Sequence, residues 1–321
     1  MSLPVSEKDR RQKIDDALRT RYWTWTFLSH EDCPARVIDV LHSKLPHIDT
    51  ISWPERFDFG GIYINGREAR SDDPLPIPCR IEYYEPKFAI RDASSVFPKF
   101  NEDLIVYHDE HIAVAYKPPK LSSMPAKEQR HFSLKRSLEK IFNTTIHMPS
   151  RLDVSAQGLI IVSLSPAAHA PLQQAFETRH VTKKYLCASA LPCSWSTKRI
   201  TLPIARDPLH PVLRRTTITD GQRAETIFSN LSSACSGDTQ LQIVCAQPIT
   251  GRTHQIRVHA TSLNIPLFGD LFYGGAEASY LYLVSSLIEC KHPVTRAPLQ
   301  FIIPERLQHD WIERSIGALA K

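Results

Sequence analysis

Beyond residue 158 the chain is a succession of short apolar strands, several of them joined to the next without a helix between. Leu159 to Leu164, Lys184 to Ala190, Ala224 to Leu231, Leu241 to Ala246, Tyr280 to Ile288 and Leu299 to Ile303 read as strands. Helical patterning is confined there to Pro166 to Thr178, roughly Thr253 to Leu263, and Glu305 to Arg314. Strands joined by short connections pair antiparallel, whereas parallel pairing needs a long crossover. The pattern therefore predicts an α+β fold on a mainly antiparallel, mixed sheet flanked by helices, and disfavours a doubly wound one. A length of 321 residues, with 42% in the hydrophobic set and 23% charged, allows a sizeable core and predicts two domains.

The upstream half has a different texture. Residues 7–20 read as a polar helix within an N-terminal extension spanning 1–30. Val37, Leu41 and Leu45 then recur at i+4, the spacing of an amphipathic helix. Ile62-Tyr63-Ile64 alternates as a strand into Asn65-Gly66, the pair best able to supply positive φ in a tight hairpin. A short strand from Ile81 to Tyr84 closes a small unit over 31–86. Two prolines, Pro86 and Pro98, bracket a stretch that reads as a linker over 87–101. The larger domain, 102–321, opens with a hairpin at Leu104 to Tyr107 and Ile112 to Tyr116, and a helix capped by Ser133 runs to Phe142.

Several function classes drop out. The longest stretch without Asp, Glu, Lys or Arg, Val154 to Phe176, is broken by prolines and polar residues, so no membrane span is expected. The N-terminus MSLPVSEKDRRQ lacks an apolar signal core, and the expectation is a cytoplasmic protein. Seven cysteines, no two of them two to four residues apart, argue for reduced thiols and against a zinc ribbon. Neither G-x-G-x-x-G nor a complete P-loop is present, and G-x-S-x-G and H-E-x-x-H are missing as well. No cofactor, nucleotide or metal is expected. Charge points elsewhere: His111 to Lys140 holds seven Lys/Arg against two acids, and Lys198 to Arg223 six against two. Basic surface of this kind suits RNA, although a solvated charged face is the commoner outcome.

Two motifs carry chemistry. Arg151-Leu152-Asp153 stands just before Gly158 and an apolar strand, which puts a carboxylate on a loop at a strand mouth, where it can act as nucleophile or base. A lone tripeptide of this kind is more often a turn-capping aspartate. The second is Thr250-Gly251-Arg252-Thr253-His254-Gln255-Ile256-Arg257-Val258-His259, a density of polar groups that packing alone seldom demands. Read as a helix from Thr253, it places Arg257 one turn later on the same face.

In that order, and with His180-Val181-Thr182-Lys183-Lys184-Tyr185 between them and Gly269-Asp270 and Tyr273-Gly274 after them, these motifs resemble the pseudouridine synthases of ribosomal and transfer RNA whose active-site motif is R-L-D-x-x-T-S-G-L. The resemblance spans about Leu104 to Phe301. It implies that Asp153 attacks during cleavage of a uridine's glycosidic bond, after which the uracil turns and rejoins its ribose through carbon 5; attack on the sugar and on uracil carbon 6 both remain open. An ionised carboxylate is suited to stabilising an oxocarbenium-like sugar. Arg257 matches the arginine that pairs with that aspartate and favours its charged form. Tyr185 matches the tyrosine that stacks on uracil, with Lys183 beside it. Arg151, Lys117, Arg252, His254 and Gln255 are expected on the RNA.

Residues 31–86 resemble an S4 RNA-binding domain through Arg56 and Gly60-Gly61-Ile62-Tyr63-Ile64-Asn65-Gly66-Arg67, with Arg56, Arg67 and Arg70 expected to face RNA. The partner implied is structured ribosomal or transfer RNA, bound by a monomer. The chain departs from the pattern where Ala156 and Gln157 replace Thr-Ser, Tyr116 replaces Asn, and Lys120 replaces Gly. Those changes keep a second reading in play, a catalytically impaired RNA-binding or RNA-chaperone protein on the same scaffold.

Overall fold

The computed structural model describes residues 21–29, 36–127, 131–208, 210, 212–317 and 319, so the expected helix at 7–20 lies outside the described residues. The first unit is a four-stranded antiparallel sheet of β1 (Tyr22–Ser29), β2 (Ile62–Ile64), β3 (Arg67–Glu68) and β4 (Cys79–Pro86), ordered β1-β4-β2-β3. Helices Val37–Lys44 and Trp53–Phe59 belong to the same unit. Val37, Leu41, Leu45, Trp53, Ile62, Ile64, Ile81 and Tyr83 form its core. Asn65 and Gly66 both take positive φ, 49° and 79°, so the tight turn is made as the dipeptide requires.

Two boundaries differ from the sequence reading. Tyr22–Ser29 is the partner of β4 along its whole length, from Tyr22 opposite Pro86 to Ser29 opposite Cys79, and so belongs to the sheet and not to an extension. Its Trp25 and Phe27 pack on the core, which the Y-W-T-W-T-F alternation encodes. The stretch 87–101 is also packed: it holds the short helix Ala93–Val96 and the buried Phe97, whose ring stacks on Phe132 at 4.6 Å. Aromatic and aliphatic residues at 88–97 join Phe59 to Phe132, so the proline-flanked segment is a hydrophobic joint.

The second unit is built on nine strands: β5 (Ile105–His108), β6 (Ile112–Lys117), β7 (Gln157–Ser163), β8 (Thr182–Ser189), β9 (Thr197–Ile200), a separate hairpin of β10 (Ile204–Arg206) and β11 (Arg214–Thr216), then β12 (Thr226–Ser236), β13 (Thr239–Pro248), β14 (Leu283–Lys291) and β15 (Pro298–Ile302). The order is β5-β6-β7-β14-β8-β13-β12-β9, with β15 alongside β14. β14 with β7 is the one parallel pairing among the described strands, so the sheet is mixed and mainly antiparallel as expected. Two hydrophobic layers cover its faces. Ile112, Val114, Leu159, Ile161, Leu186 and Ile243 pack against helices Pro166–Glu177 and Asp310–Ile316. Ala113, Ala115, Ile160, Val162, Cys187 and Val244 pack against helices Leu134–Phe142 and Gln255–Ser262. No helix among the described residues is long and apolar enough to cross a membrane.

Candidate active site

Three connections converge at one end of the nine-stranded sheet. The loop 149–156 enters β7, Tyr185 stands on β8 opposite Ala246 of β13, and the loop after β13 leads into helix Gln255–Ser262. They enclose a cleft of about 700 Å³ lined by Arg151, Asp153, Lys183, Tyr185, Arg252, His254 and Arg257 among others. Entry into β7 is set by Gly158 at φ 109°, where an added Cβ would lie 2.4 Å from the Ser285 carbonyl oxygen. The strained angle and the close parallel contact with β14 both require glycine there.

Asp153 points a carboxylate, 23% exposed, into this cleft. Nη1 of Arg257 lies 3.6 Å from its Oδ2, and Nε2 of His254 stands 4.0 Å from the same oxygen. Arg257 is buried and held from the other side by Asp270, which accepts hydrogen bonds of 2.8 Å from Nε and 2.7 Å from Nη2. Burial opposes the Arg257 charge, but Asp270 and then Asp153 more than offset it and raise its pKa. The rings of Phe272 and Tyr273 flank the guanidinium at 5.0 Å. Asp270 and Tyr273 were part of the quoted G-D-x-x-Y-G pattern, yet nothing in their spacing assigns them to Arg257; only a buried arginine's need for a paired carboxylate could have done so.

The second motif folds differently from the helix read into it. His254 takes a left-handed conformation, φ 57° and ψ 17°, and the helix begins only at Gln255, so Thr253 is not on its face with Arg257. Such backbone strain persists where the surroundings fix it. Here His254 is buried, with Nδ1 2.7 Å from the Tyr273 hydroxyl, and burial pushes its pKa down to about 4. It is therefore a neutral imidazole beside Asp153 and not a surface phosphate ligand as expected. Gln255 is a second correction: its Oε1 accepts from the Thr250 hydroxyl and the Arg252 N–H, while Nε2 donates to the Glu225 carbonyl and the Thr226 hydroxyl. Every hydrogen-bonding position of that amide is occupied within the protein, so it braces the loop and offers nothing to RNA.

Lys117 is the third correction. Its side chain is fully buried, with Nζ donating to the carbonyls of Leu121 at 2.7 Å, Pro118 at 3.0 Å and Val154 at 3.3 Å. It clamps the residue after Asp153 instead of tracking RNA, and burial lowers its pKa to about 7 against the opposing pull of Asp153. Ser123 holds Leu152 at both ends, accepting from its N–H at 3.0 Å and donating to its carbonyl at 2.8 Å. Lys120 N–H donates to the Val154 carbonyl from a left-handed residue, φ 67°, the position where glycine was noted as usual.

The remaining expected residues fall at the rim or apart from the cleft. Arg151 is exposed and donates to the Thr253 hydroxyl at 3.3 Å, linking the two motifs. Lys183 lies 6.0 Å from the centre of the Tyr185 ring. Arg252 lines the rim, and its Nε donates to the Arg223 carbonyl. In the first unit Arg56 is half-buried and donates to the Tyr83 hydroxyl at 2.8 Å. Arg67 is exposed beside Asp73, and Arg70 is exposed.

Two of the departures from the R-L-D pattern, Tyr116 and Gln157, meet behind the cleft, on the opposite face of the sheet. Tyr116 donates its hydroxyl to Gln157 Oε1 at 2.9 Å, and His309 Nε2 lies 3.0 Å from that oxygen. His309 also stacks on Tyr280 at 5.1 Å.

Residues 111–262 match the family described as RNA pseudouridylate synthase. An uncharacterized RNA pseudouridine synthase of Bacillus subtilis, YjbO, is 30% identical over 269 residues, which cover 78% of this chain and 88% of the relative. The dual-specificity RNA pseudouridine synthase RluA of Escherichia coli is 29% identical over 208 residues, 63% of this chain and 92% of its own. Among solved structures, human RNA pseudouridylate synthase domain containing 1 superposes with a TM-score of 0.57 at 21% identity, covering 70% of this chain and 98% of that one, a likeness of fold. With the cleft, the motif order and the extent of the matches together, the chain belongs to the RluA-type RNA pseudouridine synthase family, enzymes that isomerise uridine to pseudouridine in RNA.

Proposed function

We propose that Asp153 is the nucleophile of this isomerisation, that Arg257 holds its carboxylate in orientation, and that Tyr185 stacks on the uracil. The observation that carries the reading is the 3.6 Å approach of the Arg257 guanidinium to Asp153 in a cleft that also holds the Tyr185 ring. In this reading the uridine N1–C1′ bond breaks, the uracil turns, C5 bonds to C1′, and the proton on C5 is lost as N1 is protonated. No water, cofactor or energy source is consumed overall. The neutral His254 leaves Arg257 as the cation beside the carboxylate.

A base must leave its stack to reach such a cleft. Arg151 at the rim is placed to fill the gap or hold a phosphate, with Lys183 and Arg252 on the adjoining rim. The substrate of this reading is structured ribosomal or transfer RNA, the enzyme acts as a monomer in the cytoplasm, and residues 22–86 serve as an S4-like platform ahead of a catalytic domain over 102–321.

The test is Asp153→Asn, assayed for pseudouridine formation on RNA from cells lacking the gene. Turnover should vanish with the fold intact and RNA affinity within about tenfold, because the change is nearly isosteric and phosphate contacts dominate affinity. Turnover by this variant, with deamidation excluded, removes Asp153 from the role. No lost pseudouridine in any RNA of the deletion strain would favour the RNA-chaperone reading.

A further inference from the structure

One cluster outside the cleft is organised more tightly than a solvated charged face. Glu225 precedes β12 and its side chain is only 5% exposed, yet it carries a carboxylate that burial strongly disfavours unless it is paired. Two arginines meet it, one on each oxygen: Arg199 from β9 on Oε1, and Arg223 on Oε2 at 3.4 Å. Their own side chains are 66% and 73% exposed. A third, Arg252, runs from the cleft rim to the backbone of the same segment, with Nε 3.0 Å from the Arg223 carbonyl. No other acid among the described residues pairs with these three.

Charge and geometry together go beyond neutralisation. The single carboxylate meets two guanidinium groups, and with Arg252 tied to the same backbone the cluster carries a surplus of two positive charges. Each guanidinium carries five donors, and the contacts above use only a small part of them. The forks that remain match the oxygens of a phosphate bidentately. The cluster is also bolted to the second motif: Glu225 N–H donates to the Thr250 hydroxyl at 2.9 Å, and its carbonyl accepts from Gln255 Nε2 at 2.9 Å and from Ile249 N–H at 2.9 Å. The backbone that carries the carboxylate is thereby tied to the loop leading to Arg257.

We propose that Arg199 and Arg223, ordered by the buried carboxylate of Glu225, form with Arg252 a phosphodiester subsite beside the uridine cleft that grips the RNA backbone flanking the target base. The proposal rests on the RNA-modifying reading above and specifies where that RNA runs, from the Arg252 rim outward past Arg223 to β9. Glu225 is a positioning residue in it, acting through the arginines.

The test measures RNA affinity as a function of salt, and turnover at saturating RNA, for the full chain. Arg199→Ala with Arg223→Ala should raise Kd and KM about tenfold, flatten the slope of log affinity against log salt by roughly 0.7 to 1.8, the value for one or two phosphate contacts, and leave kcat within about twofold. Arg296→Ala, in the exposed turn after β14, is the control for diffuse charge and should leave the slope unchanged. Glu225→Gln adds a net positive charge but frees the forks, so it should weaken binding. An unchanged slope in the double variant, an equal change with Arg296→Ala, or tighter binding by Glu225→Gln would each overturn the subsite. Because affinity is read separately from turnover, a wild type that binds RNA but converts no uridine would count against the catalytic reading and not against the subsite.

Discussion

Asp270→Asn tests whether Arg257 is held in place by a partner that the substrate never meets. The two side chains are 0% and 4% exposed, and the native pair closes two hydrogen bonds, at 2.7 and 2.8 Å. Removing one charge from a buried ion pair typically costs about 3–5 kcal/mol, because the other charge stays buried without compensation. The asparagine keeps one carbonyl acceptor, and Asp153 stands 3.6 Å away on the far side of the guanidinium, so the low end, about 3 kcal/mol, is the expected loss. At roughly 2–4 °C per kcal/mol for a domain of this size, Tm should fall by about 6–12 °C.

Activity should fall independently of stability. Freed from Asp270, the guanidinium is drawn towards Asp153, and a displacement of about 1 Å in such a site can cost on the order of 10²-fold in rate. The expected signature, measured well below the lowered Tm, is kcat down by about that factor with RNA affinity nearly unchanged. The companion variant Asp270→Leu with Arg257→Met removes both buried charges and should recover most of the stability while remaining inactive. A Tm within 2 °C of wild type for Asp270→Asn, or a companion as unstable as the single variant, would refute the claim that the pair is a coupled buried unit.

Three further outcomes follow from named contacts. Lys117 has a folded pKa of about 7, below the ordinary lysine value of 10.5, so between these values the unfolded chain binds the extra proton; stability from this group therefore rises with pH over that window and is flat below it. Urea midpoints from pH 6 to 10 should show this rise in the wild type and lose it in Lys117→Met, and parallel profiles would sink the assignment. Tyr116→Asn and Gln157→Ser, each towards the family pattern, should each cost about 1–3 kcal/mol by stranding a buried partner, while the double variant should cost less than their sum, with a coupling energy of at least about 0.5 kcal/mol; strict additivity in chemical denaturation would show the two positions to be independent. Deleting residues 1–86 should weaken binding to structured RNA and flatten its salt slope by about 0.7 to 0.9 per lost phosphate contact, and an unchanged slope would mark the first unit as structural.

Much of the fold was readable because parts of both units obey local rules. Val37, Leu41 and Leu45 lie in the core on one helix face, Ser133 caps the helix beginning at Leu134 by accepting from Arg136 N–H, and Asn65-Gly66 makes its turn. What was misread depends on distant partners. Tyr22–Ser29 is a strand only because β4, more than fifty residues later, supplies its hydrogen bonds. The prolines at 86 and 98 mark irregular backbone, but they do not reveal that Phe97 between them finds Phe132 to stack on. β9 has three exposed residues and one buried, too little apolar signal to register without β12 beside it.

The site divides along the same line. Motif order brought Asp153, Tyr185 and Arg257 to one cleft, Asp153 from the loop before β7, Tyr185 from within β8 and Arg257 from the first turn of the helix Gln255–Ser262. Charge type alone then misled: Lys117 and Gln255 looked like RNA ligands because lysine and glutamine usually face solvent, whereas here each is consumed by backbone and hydroxyl groups that hold the loops. The departures behave as a set for a related reason. Ala156-Gln157 carries no hydroxyl, and the long amide of Gln157 reaches instead to the Tyr116 hydroxyl and to His309. Tyr116 in place of the smaller Asn supplies the reach for that contact, while Lys120 tolerates φ 67° so that its N–H can hold the Val154 carbonyl alongside Lys117 Nζ. A left-handed non-glycine residue costs on the order of 1–2 kcal/mol, and the shared carbonyl is what that strain maintains. Substitutions that appear in the sequence as three separate losses thus act in the structure as two braces on one loop, one behind the sheet at Gln157 and one at the Val154 carbonyl, the residue next to Asp153.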